Sequence, residues 1–261
     1  MKDKKQKYKI GVVDSGVGGL STMECILRAC ESHNLPVEFA YFADSEYCPY
    51  GNKPRCVVLG RVRGIIGDLI ADGCDLVVVA CNTATNIGLS EYQHEFLIPI
   101  VGAEPAVKTA YKNGHKNTLL LATNLTVVQD KFVDLVQKYY PFKQEGVYQN
   151  KKGQKLFVAP QTNLASQIQQ AIDFESTKQA ILQDMHDGYQ TTNNALKNII
   201  HNLLEPYKDH EIDAVVLGCT HYCFCRQIFL DYYTKQNQSV VVYDGNEGIA
   251  KRVIGLLHPK Q

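Results

Sequence analysis

A gap-free quasi-repeat constrains this chain more than any other feature. Asp75-Leu76-Val77-Val78-Val79-Ala80-Cys81-Asn82-Thr83 aligns on Asp213-Ala214-Val215-Val216-Leu217-Gly218-Cys219-Thr220-His221. Each copy is an aspartate, an apolar run, a small residue, a cysteine and then polar side chains. An apolar run that continuous reads as a strand covered on both faces, the signature of a parallel sheet. A weaker second pair sets Ile10–Ser15 against Leu119–Asn124. Two copies of one α/β unit would place both cysteines at the carboxyl ends of equivalent strands. That edge is where open α/β sheets bind ligands. Parallel strands also resemble one another by composition alone, so the repeat by itself leaves chance similarity open.

The rest of the chain has the same grammar. Further strands are expected at Tyr8–Val13, Val37–Phe42, Ile100–Val101, Thr118–Ala122 and Val240–Tyr243. Between them run helical patterns. One carries Val127, Val128, Phe132, Leu135 and Val136 on a single face, and another extends from Ser176 to Leu204 through Ile181, Leu182, Met185, Leu196, Ile199, Ile200 and Leu203. Strand alternating with helix defines an α/β fold with mostly parallel sheets. At 261 residues the chain can bury one large core or two modest ones.

Lysine plus arginine equals aspartate plus glutamate, 27 each, so no global field draws the protein to nucleic acid or membrane. The basic start, Met1 to Lys9, has the look of a signal-peptide n-region. The apolar run behind it is broken by Gly11, Asp14 and Gly16, so a cytoplasmic location is expected. No apolar stretch approaches the roughly 20 residues of a membrane span. The nine cysteines are odd in number and the chain is too long to need staples, which fits reduced thiols. The question is which of them do chemistry.

Asp14-Ser15-Gly16-Val17-Gly18-Gly19 follows the first strand and opens a helix, but its spacing fails the G-x-G-x-x-G dinucleotide pattern. Such a turn offers backbone N–H groups to a carboxylate or phosphate. Asp14 reads either as a helix cap or as a polar group on a reacting centre. Cys81-Asn82-Thr83 and Cys219-Thr220-His221 each set a thiol among N–H and hydroxyl donors at a strand end, a position expected to favour thiolate. Cys219, His221, Cys223 and Cys225 have zinc-compatible chemistry, yet alternation within one short segment does not readily wrap a tetrahedron. No metal is expected, and Cys223 and Cys225 read as packing residues. Tyr47–Pro54 is a turn-rich loop able to close on a small ligand through its backbone and the Tyr50 hydroxyl, or to be an ordinary surface loop.

Taken as a set, the segments IGVVDSGVGGLS (10–21), Asp44–Lys53 ending in PYGNK, VVVACNTAT (77–85), PIVGAEPAVK (99–108), LLATNLT (120–126), VVLGCTHY (215–222) and Asp244–Ala250 resemble the glutamate racemases of the aspartate/glutamate racemase superfamily. They occur in that family's order and span nearly the whole chain. The resemblance implies two pseudo-symmetric α/β domains with the active site at their interface. Residues 1–105 with 222–261 would form the first domain and 106–221 the second. It implies Cys81 and Cys219 as the acid/base pair, with Asp14 beside the first and His221 beside the second. Substrate binding would fall to Asp14, Ser15, Tyr50, Gly51, Asn82, Thr83, Thr123, Thr220 and His221. No cofactor is implied, and the partner would be glutamate, whose D-form supplies the peptidoglycan precursor; oligomeric state, a homodimer included, is left open.

Racemisation fits two thiols, since one group must remove the α-proton on one face while another delivers a proton on the other. By the resemblance, Cys81 would act on D-glutamate and Cys219 on L-glutamate. The chain departs from the family after its central second-half strand. There Ala159-Pro160-Gln161-Thr162-Asn163-Leu164 replaces a cysteine-proline pair, with no glutamate before Glu175. Cys223 replaces a proline, Leu125 replaces a glycine, and the stretch 161–207 is longer than usual. A racemase for aspartate or another amino acid, or a regulatory homologue with weak turnover, stays open as an alternative. A thiol redox protein would want a C-x-x-C pair, which is absent.

Overall fold

The computed structural model describes residues 7–183, 190–191 and 193–257. Met185 and the basic residues before Lys7 lie outside the described residues. The first half runs β1 (Tyr8–Asp14), α1 (Gly19–Ser32), β2 (Val37–Ala43), α2 (Arg55–Ala71), β3 (Leu76–Val79), α3 (Asn82–Glu95) and β4 (Ile100–Gly102). It continues through α4 (Val107–Lys112), β5 (Asn117–Ala122), α5 (Asn124–Val127), α6 (Asp130–Tyr139), β6 (Phe142–Gln144), β7 (Val147–Gln149) and β8 (Lys155–Pro160). The remainder is α7 (Asn163–Ala171), α8 (Phe174–Leu182), α9 (Asn194–Leu204), β9 (Ala214–Leu217), α10 (Arg226–Thr234), β10 (Val241–Tyr243) and α11 (Asn246–Leu257).

The strands form two sheets, ordered β2-β1-β3-β4 and β10-β9-β5-β8-β7-β6. The first is wholly parallel. In the second, β10, β9, β5 and β8 are parallel and the β7–β6 hairpin continues antiparallel. Written as β4-β3-β1-β2 and β10-β9-β5-β8, the two orders coincide, so the cysteine-bearing strands β3 and β9 occupy equivalent places. The repeat aspartates do the same job in each copy. Asp75 accepts the Lys9 N–H at 2.7 Å, and Asp213 accepts those of Lys116 and Asn117 at 2.8 and 3.0 Å, locking the start of the neighbouring strand. Each sheet is covered on both faces, which is why its strands are apolar throughout. Val12 and Val78 meet Ile26 and Val253, while Val77 and Val79 meet Val58, Ile66 and Ile87. Leu119 and Val215 meet Ile168, Ile200 and Phe229, while Leu120 and Val216 meet Phe132 and Val136.

Several expectations are corrected. Ile10 lies opposite Leu76 and Thr118 opposite Ala214, so Ile10 corresponds to Thr118 rather than to Leu119. The weaker repeat is therefore shifted by one residue, and Ser15 falls equivalent to Thr123. Residues 222–261 do not all complete the first unit. The edge of β9 is closed by β10, and Phe229 and Tyr233 of α10 enter the second core, so only α11 packs on the first sheet, against α1. The helix expected through Val127 and Val136 is broken into α5 and α6, with Val128 exposed. Among its described residues, the expected stretch from Ser176 to Leu204 holds most of α8 and all of α9. The β6–β7 hairpin was not anticipated; Glu145 and Gly146 both have positive φ (49° and 82°), as a two-residue hairpin turn of the primed type requires.

Candidate active site

The carboxyl ends of β1, β3 and β9 converge, and each presents a polar or thiol side chain. Asp14, Cys81, Cys219 and His221 are 0, 6, 7 and 1% exposed, so this is a nearly dry cluster. Asp14 Oδ2 accepts the Gly16 N–H at 3.0 Å, and its Oδ1 accepts the Thr220 hydroxyl at 3.1 Å, tying the first sheet's tip to the second's. Cys81 immediately precedes α3 and its thiol lies 3.9 Å from Ser15 Oγ. Cys219 Sγ lies 3.9 Å from His221 Nδ1. On the other side of that ring, Nε2 lies 3.0 Å from Gln169 Oε1 and 3.6 Å from Cys48 Sγ.

The glycine-rich turn acquires a purpose here that is neither nucleotide binding nor simple capping. A Cβ on Gly16 would lie 2.0 Å from Gln169 Oε1, and one on Gly18 would lie 2.3 Å from Thr220 Oγ1 and 2.8 Å from His221 Nδ1. Bare backbone lets side chains of the second sheet's elements reach the tip of β1. Gly51 plays the same part on the far side, where a Cβ would meet Thr123 Cβ at 2.5 Å. There the hydroxyls of Thr83, Thr123 and Thr126 form a closed triangle with edges of 2.8–3.1 Å. Asn82 is buried, and its Oδ1 takes no hydrogen bond from any described residue.

Electrostatics contradicts one expectation. Backbone N–H groups of Thr83 and Ala84 do draw the Cys81 thiol toward ionisation, as its place before a helix predicts. Burial opposes them and wins, and with the nearby Asp14 charge it pushes the thiol up to about 12. Burial also lifts Cys219 well above the usual thiol range, and negative charge on Cys81 lifts it further. Burial raises Asp14 to about 6 against its hydrogen bonds from Gly16, Thr220 and Gly19, and lowers His221 to about 4.

The structure thus brings together Asp14, Ser15, Cys81, Cys219, Thr220 and His221, with Asn82, Gly51, Thr83 and Thr123 adjoining. The Tyr50 hydroxyl is held by Asp44 rather than by a residue of this cluster. It donates to Asp44 at 2.6 Å, and Asp44 is also clamped by Arg61 at 2.5 and 2.6 Å. Cys223 and Cys225 are buried, Cys223 receiving the Asn246 side-chain N–H at 3.9 Å and Cys225 lying in the second core. Among the described residues no group of three or more His, Cys, Asp or Glu side chains converges as a metal site. No helix among them is long and apolar enough to cross a membrane. Gln169 was not anticipated. It lies between Pro160 and Glu175, where the expected glutamate is missing, on a helix whose other face is Leu164, Ala165 and Ile168.

Two thiols at equivalent strand ends border one buried polar site between two matched α/β units. The chain belongs to the Asp/Glu/Hydantoin racemase family, whose model matches residues 10–251. Within that family it is similar to glutamate racemases of several bacteria. It is 32% identical to that of Leptospira interrogans, over 97% of this chain and 84% of that protein. It is 31% identical to that of Clostridium perfringens, again over 97% and 84%. Its fold is similar to Escherichia coli glutamate racemase crystallised with L-glutamate, with a TM-score of 0.73 and 25% identity over 98% of this chain and 84% of that one.

Proposed function

We propose that this protein interconverts L- and D-glutamate without a cofactor, using Cys81 and Cys219 as acid/base groups on opposite faces of the substrate α-carbon. The observation that carries the reading is the pair of buried thiols at equivalent strand ends, Cys81 beside Ser15 and Cys219 beside His221. Inversion at carbon requires that geometry: one face loses its proton to a thiolate while the other gains one from a thiol.

The dry site sets the energetics. Ionising Cys81 costs about 4 kcal/mol more than ionising an exposed thiol, from a shift to about 12. A bound amino-acid zwitterion changes this balance, because its ammonium places positive charge beside Asp14 and the thiols. Asn82 Oδ1, buried with no donor among the described residues, is suited to receive that ammonium. His221 Nδ1, 3.9 Å from Cys219, is placed to take the Cys219 proton and leave a thiolate–imidazolium pair. The thiolate then removes the α-proton of L-glutamate, and the Cys81 thiol protonates the opposite face. Exclusion of water and donors at the substrate carboxylate stabilise the intervening carbanion. In its cellular role the product D-glutamate would serve peptidoglycan synthesis.

The test is incubation with L-glutamate in D₂O, following optical rotation and α-deuterium. Exchange and racemisation are expected in the wild type. Cys81→Ser and Cys219→Ser should each abolish net racemisation, because a hydroxyl is too weak an acid/base for either half of the transfer. A single variant racemising at the wild-type rate refutes the two-thiol mechanism.

A further inference from the structure

One oxygen organises the Cys219 side of the site. Gln169 Oε1 accepts the Val17 backbone N–H at 2.8 Å, lies 3.0 Å from His221 Nε2, and lies 3.7 Å from Cys48 Sγ. An amide side chain has one acceptor end and one donor end. Val17 N–H can only donate, so it determines which end of Gln169 points into the cluster. A ring nitrogen 3.0 Å from that carbonyl oxygen must then carry the hydrogen. Burial lowers His221 to about 4, so near neutrality the ring holds a single proton. With that proton on Nε2, Nδ1 is a bare lone pair, and Nδ1 is the nitrogen facing Cys219 Sγ.

We propose that Gln169 is a positioning residue that locks His221 in its Nε2–H tautomer and so presents a proton acceptor to Cys219. The inference rests on the reading of Cys219 as an acid/base group. An amide suits this task better than a carboxylate at the same place. A carboxylate would accept the same N–H but would favour the imidazolium, putting a proton on Nδ1 and removing the acceptor before substrate arrives. The other ionisable groups packed around the ring are Cys219, Cys48 and, through Thr220, Asp14.

The experiment combines ¹⁵N NMR of the histidine ring with kinetics, in wild type, Gln169→Glu and Gln169→Leu. In the wild type at neutral pH the His221 signals should show Nε2 protonated and Nδ1 bare. Gln169→Leu should give a tautomer mixture and lower kcat by at least about tenfold, with KM within about twofold. Gln169→Glu keeps the size of the side chain, and should move the acid limb of kcat/KM upward by at least about one pH unit as the imidazolium is stabilised. A wild-type ring protonated on Nδ1 overturns the proposal. So does a Gln169→Leu protein with unchanged tautomer and unchanged kcat. Should the wild type prove inert on glutamate, the functional reading fails, whereas the NMR measurement still decides the tautomer.

Discussion

The contact between the glycine turn and His221 can be tested with one methyl group. Gly18 has φ −55° and ψ −39°, a conformation alanine adopts freely, so Gly18→Ala introduces no backbone strain. Its effect must come from space. The new Cβ would lie 2.3 Å from Thr220 Oγ1, 2.8 Å from the His221 backbone nitrogen and 2.8 Å from His221 Nδ1. An unstrained carbon–nitrogen contact needs about 3.5 Å, so the His221 segment must retreat by about 0.7 Å. Thr220 must also swing its hydroxyl away and give up its bond to Asp14. Overpacking of this kind costs about 1–3 kcal/mol. Misplacing an acid/base group by close to 1 Å costs about 100-fold in rate. Racemisation followed by circular dichroism should therefore fall about 100-fold, and the Tm should drop by about 2–12 °C, taking about 2–4 °C per kcal/mol for a chain of this size. Gly255→Ala is the control. That glycine is exposed on α11 with nothing within 4 Å of a new Cβ, so helix propensity should stabilise the protein by about 0.5–1 kcal/mol without changing turnover. A Gly18→Ala enzyme within about threefold of wild type would refute the claim that bare backbone is needed for His221 to reach the site.

Other outcomes follow from the same geometry. Tyr50→Phe removes a donor to Asp44 but leaves the Arg61 clamp, so it should cost about 1 kcal/mol by urea titration and leave kcat within about threefold. A large kcat loss at unchanged stability would place that hydroxyl on the substrate instead. His221 is lowered to about 4 from 6.5, so its stability contribution is present above pH 6.5 and is lost as pH falls through 4. The full difference is about 3 kcal/mol, and the stability gap between wild type and His221→Gln should narrow on acidification across that window. Asp14 has the opposite sign. Raised to about 6 from 3.8, it contributes stability below pH 3.8 that is lost as pH rises through 6. Asp14→Asn should gain in urea midpoint relative to wild type on going from pH 4 to 7, and a constant difference would contradict the burial argument.

Chemistry repeated in sequence was legible; contacts made across the fold were not. Cys81 and Cys219 stand out because a doubly covered strand forces an apolar run, and any polar side chain ending that run twice in the same context calls for explanation. The repeat could not reveal its own register at β1 and β5. Apolar residues on both faces of a parallel strand look alike, so a one-residue slip leaves the pattern intact, and only the pairing of Ile10 with Leu76 and Thr118 with Ala214 resolves it. Gln169 was invisible for a different reason. Its partners Val17 and His221 lie 152 and 52 residues away, and a polar residue on an amphipathic helix ordinarily faces water. The bond from the Tyr50 hydroxyl to Asp44, and the clamp on Asp44 by Arg61 of α2, had no sequence signal, because only the folded chain brings the three side chains together.

The same folding that gathers the site also explains why neither thiol is poised as a thiolate in the free protein. N–H groups at the start of α3 favour ionised Cys81, yet the site that excludes water from a carbanion must also strip water from sulfur. Burial is the larger effect at Cys81, Cys219 and Asp14 alike. A pocket holding one carboxylate near two thiols can accept little further negative charge until a cation enters, and an amino-acid zwitterion brings its cation next to the carbon that reacts. On the proposed mechanism, ionisation of a thiol would thereby be tied to occupancy of the site. In that mechanism His221 complements this: held neutral by burial, it would store the thiol proton at Nδ1, so the charge separation would span 3.9 Å within the site rather than requiring exchange with solvent. In the proposed mechanism, the dryness that makes each thiol a poor base alone is also what would confine proton transfer to the bound substrate.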